Sequence, residues 1–152
     1  MGLSMTARSI LTPIEQAFVQ RQRVARLATA DEGGHPTLIP ICYAFDGHVF
    51  YTPLDEKPKS IPVTQLKRVR NIEARHEAAL LIDQYSDDWS QLGYVLIHAH
   101  AELLYPPAER HNQALQLLRA RYIQYQTMNL EQNALIVLTP ERITSWGVAV
   151  SL

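Results

Sequence analysis

Between Val24 and Thr52 the apolar positions fall in three runs, Val24 to Ala30, Thr37 to Phe45 and His48 to Thr52. Asp31-Glu32-Gly33-Gly34 and Asp46-Gly47 separate them. Gly-Gly and Asp-Gly reach the positive φ that tight hairpin turns require, so the pattern predicts an antiparallel three-stranded meander. Along the first run Val24, Arg26 and Ala28 alternate with Ala25, Leu27 and Thr29. Arg26 therefore lies either at an edge in water or beside an anion. Upstream, Thr12-Pro13-Ile14-Glu15 supplies a cap, a proline at the first helical position and an acid that can reach back to the cap. A short helix to about Arg21 is expected, with Ile14, Ala17 and Phe18 on one face.

Beyond Thr52 the pattern breaks. The run from Pro53 to Pro62, PLDEKPKSIP, is too rich in proline for helix or ladder, so a loop is expected at the strand's end. Helical spacing resumes after a cap expected at Thr64. Leu66, Val69 and Ile72, with Glu73, mark one side, and Lys67, Arg68 and Arg70 the others. Ala78 to Ile82 has no polar interruption, which predicts a strand buried on both faces. From Gly93 to Leu104 a long strand is expected, with Val95, Ile97, Ala99 and Ala101 opposite Leu96, His98, His100 and Glu102. Pro106-Pro107 ends it and opens a helix with an apolar stripe of Ala114, Leu115, Leu117, Leu118 and Tyr122. Ala134 to Thr139 and Arg142 to Val150 read as two strands around Pro140. Six or seven strands with two or three short helices predict a mainly β chain folded as a small barrel, not a βαβ sheet.

Composition narrows the classes. At 152 residues, 47% hydrophobic, the chain suits one domain, expected over 12–152 behind a flexible leader of 1–11. A net charge of −1 gives no global field to recruit nucleic acid or an anionic membrane. No apolar run approaches a membrane span and the first residues lack the regions of a signal peptide, so the cytoplasm is the expected compartment. The single cysteine, Cys42, excludes an intrachain disulfide and reads as a buried structural thiol.

Charge is concentrated locally. The only lysines, Lys57, Lys59 and Lys67, lie within or just after the proline-rich loop, followed by Arg68 and Arg70. Compact ammonium charges on a stiff loop at a sheet end suit a phosphate. His98 and His100 share a strand face and could hold a metal or haem, but no third ligand has fixed spacing. Asp83, Asp87 and Asp88 lack the glycine and terminal glutamate of a calcium loop. No metal site is expected.

The ordered series ARLAT, GHPTLIPICYAFDGHVFYT, the basic loop DEKPK and LKRVRNIEARHEAALLID resembles the pyridoxamine 5′-phosphate oxidase-like, split-barrel flavin-binding superfamily. It looks closest to the branch that uses a deazaflavin coenzyme. The resemblance runs from about Gln22 to Leu104, and more loosely beyond. It implies a split β-barrel homodimer with FMN or the deazaflavin coenzyme F-420 in a cleft between two subunits, and hydride transfer to or from a small redox substrate. Residue by residue, Ile39, Pro40, Ile41 and Cys42 match the strand passing the ring, and Tyr51 and Thr52 the strand end at the phosphate. Lys57 and Lys59 match the basic loop, Arg70 and Asn71 lie in the helix after it, and Trp146 matches an aromatic near the cofactor. Oxidases of pyridoxamine phosphate resemble this hairpin but carry a lysine near Ala44, a serine near Glu56 and an Arg-Gln pair about where Gly93-Tyr94 stands. All are absent here, so oxidation of that vitamer is not implied. The alternative is a non-catalytic flavin carrier, or a haem binder using His98 or His100.

Overall fold

The structure, a computed structural model, describes residues 7–54 and 66–151. The first helix, α1 (Pro13–Arg21), starts where the sequence signals it. Thr12 Oγ1 accepts from the Glu15 amide at 3.1 Å and Glu15 Oε1 accepts from the Thr12 amide at 2.9 Å. Its buried side is Glu15, Phe18 and Val19, whereas Ala17 faces water. The helix can turn a carboxylate inward because Arg8 follows it, donating to both Glu15 oxygens at 2.6 and 2.9 Å. The Arg8 carbonyl also accepts from the Ile143 amide at 2.7 Å, and Leu11 is buried. The segment expected as a flexible leader through residue 11 is therefore docked from Arg8 onward, and residues 1–6 lie outside the described residues.

Seven strands follow: β1 (Ala25–Ala30), β2 (Pro36–Ile41), β3 (Ala44–Phe45), β4 (Phe50–Pro53), β5 (Glu77–Gln84), β6 (Gly93–Leu104) and β7 (Leu135–Trp146). They form one antiparallel sheet in the order β2-β1-β5-β6-β7-β4-β3. The expected meander does not form. Both turns are where the glycines place them, Gly34 at φ 83° and Gly47 at φ 102°, but they close two separate hairpins at opposite edges of the sheet.

The run from Thr37 to Phe45 breaks at Cys42-Tyr43, because Tyr43 is committed elsewhere. Its hydroxyl donates toward Val19 O (2.5 Å) and lies 3.0 Å from Gln22 O, and its amide donates to the Tyr122 hydroxyl at 3.2 Å. Two residues thus join the sheet's two edges. In a flat sheet of seven strands those edges would stand about 29 Å apart, while the link from Ile41 to Ala44 spans at most about 11 Å. The sheet must curl into a barrel with a seam between β2 and β3. This is the split-barrel architecture, mainly β with three short α-helices among the described residues.

Pro140 does not divide two strands. β7 runs through it because the register shifts against β6 between His98 and Ala99, leaving Glu141 as a bulge residue. A proline beside a bulge removes no regular ladder bond. β6 alternates as expected, with Val95, Ile97, Ala99 and Ala101 buried and His98, His100 and Glu102 exposed.

The barrel interior holds Leu27, Leu80, Ile82, Val95, Ile97 and Leu138, closed by Phe18 and Val19 from α1 and by Val69 and Ile72 from α2 (Lys67–Arg75). Leu66 occupies the N-cap position of α2 without a side-chain cap bond, and Thr64, the expected cap, lies outside the described residues. The outer face of the sheet is covered only in part. Ala114, Leu115, Leu118 and Tyr122 of α3 (Glu109–Arg121) form a second apolar cluster with Ala44, Tyr51, Leu135 and Val137. Leu117, expected in that stripe, is 40% exposed, and the fully buried His111 sits inside instead. β5 alternates where burial on both faces was expected: Ala78, Leu80 and Ile82 are buried, Ala79 and Leu81 half-buried.

The C-terminal end of α3 fastens the seam. Arg121 donates to the carbonyls of Gln20 (2.8 Å) and Gln22 at the end of α1, and its guanidinium stands 4.9 Å from the Tyr43 ring centre. Cations at a helix C-terminus are favourable because unpaired carbonyls gather there.

Candidate functional site

β2 is an edge strand, paired among the described residues only with β1. Alternate backbone N–H and C=O groups on an edge strand point away from its neighbour and are open to other partners. At the far end of β2 the chain crosses the seam, and β4 ends within reach. Between them lies a cleft of about 230 Å³ lined by Val24, Pro40, Ile41, Cys42, Thr52, Pro53, Arg68 and Tyr125. Its chemistry is two-sided: apolar or backbone surface from Pro40, Ile41 and Cys42, and a hydroxyl and a guanidinium from Thr52 and Arg68.

Four of the residues matched to the cofactor, Pro40, Ile41, Cys42 and Thr52, therefore meet in one place. The others part company. Ile39, one residue out of phase with Pro40, turns inward and packs against the barrel core. Tyr51 is out of phase with Thr52 and lies under α3. Its hydroxyl donates to Asp46 Oδ2 at 2.9 Å and accepts from Arg110 Nε at 3.2 Å. Burial and the Asp46 carboxylate push that phenol up, against the pull of Arg110. Burial opposes the Asp46 carboxylate, but the Val49 and His48 amides and the Tyr51 hydroxyl hold its carboxyl below the usual range. Tyr51 is thus a brace between β4 and α3, turned away from the cleft.

Arg70 and Asn71 line a different cleft, about 300 Å³, between α2 and the β1–β2 turn, together with Asp31, Glu32, Gly33, Lys67 and Ala74. Asn71 is buried and donates to Thr29 Oγ1 at 3.0 Å, so it anchors α2 to β1. Trp146 is 55% exposed and stacks with Tyr94 at 6.1 Å, among residues that do not line the seam cleft. Lys57 and Lys59 lie outside the described residues. Cys42 is half-buried in the cleft wall, not the fully buried thiol expected from its place mid-run. The sequence named Arg68 only as part of a charge cluster. Its helical position could have been matched to the cleft only by knowing where α2 lies.

A third cleft, about 330 Å³, opens on the outer face over Ala28, Ala30 and Ala79, with His98, Glu77 and Glu141 at its margin. His100 does not line it, and stacks instead on His76 at 5.9 Å. Among the described residues no helix is long and apolar enough to cross a membrane.

A curled antiparallel barrel, joined edge to edge by two residues and carrying a cleft at its seam, defines a split-barrel protein. The model of the pyridoxamine 5′-phosphate oxidase family matches residues 11–147, and the chain belongs to that family. A search of the curated proteins finds no match. Among solved structures, a conserved hypothetical protein from Mycobacterium tuberculosis is similar at a TM-score of 0.71 and 21% identity, over 97% of this chain and 91% of that one. HutZ, the heme storage protein of Vibrio cholerae, is similar at 0.69 and 16%, over 91% and 94%. An FAD-binding protein from Mesorhizobium loti is similar at 0.64 and 19%, over 89% and 92%. Likeness at such identities shows the shared fold.

Proposed function

We propose that this chain is a homodimeric oxidoreductase that holds a phosphorylated flavin-type cofactor, FMN or the deazaflavin coenzyme F-420, in the seam cleft. The observation that carries this reading is the meeting of Pro40, Ile41, Cys42 and Thr52 with Arg68 in one groove. Pro40 offers an exposed surface on which a flat ring can lie, and the edge of β2 offers backbone groups for its heteroatoms. Thr52 can donate to a phosphate oxygen while Arg68 neutralises it, and Lys57 and Lys59 follow β4 in sequence as further cations. At about 230 Å³ the cleft is smaller than the roughly 300–1,000 Å³ typical of such sites. A second copy packed on the open outer face would supply the missing wall.

The bound ring would supply the hydride chemistry. The chain's own residues bind, orient and exclude water: the half-buried Cys42 and the buried Tyr125 shield the groove, and Thr52 and Arg68 fix one end of the ligand. The substrate is a small organic molecule seated over the exposed side of the groove.

Titration of the protein with FMN and with F-420, followed by cofactor fluorescence, tests the reading. Saturable binding lost in the Lys57→Ala, Lys59→Ala double variant, with Cys42 protected from alkylation by bound cofactor, supports it. Binding unchanged in that variant and no protection of Cys42 would remove the site. Turnover with reduced cofactor and a panel of acceptors distinguishes an enzyme from a carrier.

A second reading rests on His98, which stands at the margin of the outer-face cleft above an alanine floor. A planar tetrapyrrole could take His98 as a ligand there. A Soret band on adding haem, lost in His98→Ala but kept in His100→Ala, would favour this carrier reading.

A further inference from the structure

His111 is 0% exposed in the apolar cluster under α3, yet it is polar. Its Nε2 lies 2.7 Å from the Asn133 carbonyl, which can only accept, so Nε2 carries the hydrogen and donates. Among the described residues Nδ1 has no hydrogen-bond partner. An aliphatic side chain would fill this place without burying a bare nitrogen, so what histidine adds is the Nε2–H donor. Asn133 carries the link onward: its side-chain amide donates to the Leu54 carbonyl at 3.0 Å. Leu54 is buried, and it directly follows Pro53, a wall of the seam cleft.

We infer that His111, acting through Asn133, is a positioning residue that sets the β4 wall of the cofactor cleft from the opposite side of the sheet. This deepens the flavin reading and rests on it. Two bonds in series hold the Leu54 carbonyl and thereby fix how far Pro53 and Thr52 stand from Pro40 and Cys42. When the donor is lost, Asn133 is released, the end of β4 relaxes and the groove widens.

The test compares the full-length chain with His111→Leu, His111→Gln and Asn133→Asp, measuring FMN affinity, melting temperature and the rate of Cys42 alkylation by iodoacetamide without FMN. Glutamine keeps a side-chain N–H donor, leucine keeps only bulk, and aspartate removes the donor to Leu54. The expected result is FMN affinity weakened roughly tenfold, the scale of one net hydrogen bond, in His111→Leu and Asn133→Asp. Cys42 should alkylate several-fold faster in both, with His111→Gln near wild type in both readouts. A merely structural histidine predicts that affinity follows melting temperature in all three variants, and that outcome overturns the proposal. So does wild-type affinity in His111→Leu, or an equal loss in His111→Gln. Should the wild-type chain bind F-420 but no FMN, the affinities are read with F-420; should it bind neither, the flavin reading fails separately, and the Cys42 rates decide: equal rates in all proteins overturn the positioning role. Should His111→Leu not fold, Asn133→Asp decides on the same two readouts.

Discussion

The outer face of the sheet has two halves that differ in sequence and in cover. Over β3, β4 and the start of β7, helix α3 buries Tyr51, Leu135 and Val137 as completely as any residue of the barrel interior. Over β2, β1, β5, the start of β6 and the other end of β7, the same face shows Leu38 at 66% exposed, half-buried Leu81 and Leu96, and the Tyr94–Trp146 stack. The covered half is apolar on both faces at the start of β7, from Leu135 to Leu138, whereas the open half sets Arg26, Asp83 and His98 among its apolar residues. Among the described residues, only the first half is closed by a helix of the same chain. Exposed Leu38, Tyr94 and Trp146 on the open half are apolar surface that a partner could cover, and they support the dimer proposed above.

Truncation should separate the halves most strongly. Leu118→Ala, under α3, is expected to lower unfolding stability by about 2–5 kcal/mol in urea titrations. Leu81→Ala, on the open half, should change the monomer's stability by less than about 1 kcal/mol while weakening self-association in sedimentation. Equal stability losses at the two sites would erase the distinction.

Next in size is the fastening at the seam. Arg121→Lys keeps the charge but not the fork that reaches Gln20 and Gln22, and should cost about 1.5–3 kcal/mol, the worth of hydrogen bonds to a charged group. A variant as stable as wild type would show that the α3 cluster does not depend on that anchor.

Glu15, near the start of α1, gives a pH signature. Burial opposes its carboxylate, but Arg8, Ser145 and the Thr12 amide outweigh it and hold the carboxyl below its ordinary value. Because the folded value is the lower one, the contribution is full above the ordinary carboxylate range and is lost as pH falls through the folded value. Glu15→Gln should therefore be less stable at neutral pH by about 1 kcal/mol, and the gap should narrow in acid. A gap that stays constant with pH would sink this assignment.

The smallest effect belongs to the exposed pair Arg26–Asp83, 2.6 Å apart across β1 and β5 on the open half. Arg26→Ala should change stability by less than about 1 kcal/mol, and less still in high salt. A larger loss, appearing only at protein concentrations that support a dimer, would mean a second copy desolvates the pair.

What the sequence revealed was local. Thr12 capping α1, the turns at Gly34 and Gly47, and the alternation Val95, Ile97, Ala99 each depend on neighbours within a few residues, and each was readable. Strand partners were not, since no spacing within Thr37 to Phe45 announces that Tyr43 will bond to α1 and Tyr122 and split one run into two edges. Ala78 to Ile82 was uniformly apolar, yet its outward residues are only half-buried, because an unbroken run does not say whose surface covers the second face. At the site, four matched residues converge because they flank one crossing of the seam. Tyr51 turns from the cleft toward Arg110, which comes from a helix far along the chain, so its partner was not legible in its neighbours. Arg68 enters the cleft through the placement of α2, which spacing alone does not give.

β4 has its ladder partner in β7, the last of the seven strands, with Phe50 opposite Leu138. During synthesis the β3–β4 hairpin must therefore emerge early and stay undocked until nearly all the described chain has followed. Non-local pairing of this kind slows folding and leaves strand edges exposed in the interim. The groove at the seam is accordingly among the last parts of the molecule to take shape, complete only once β7 is in place.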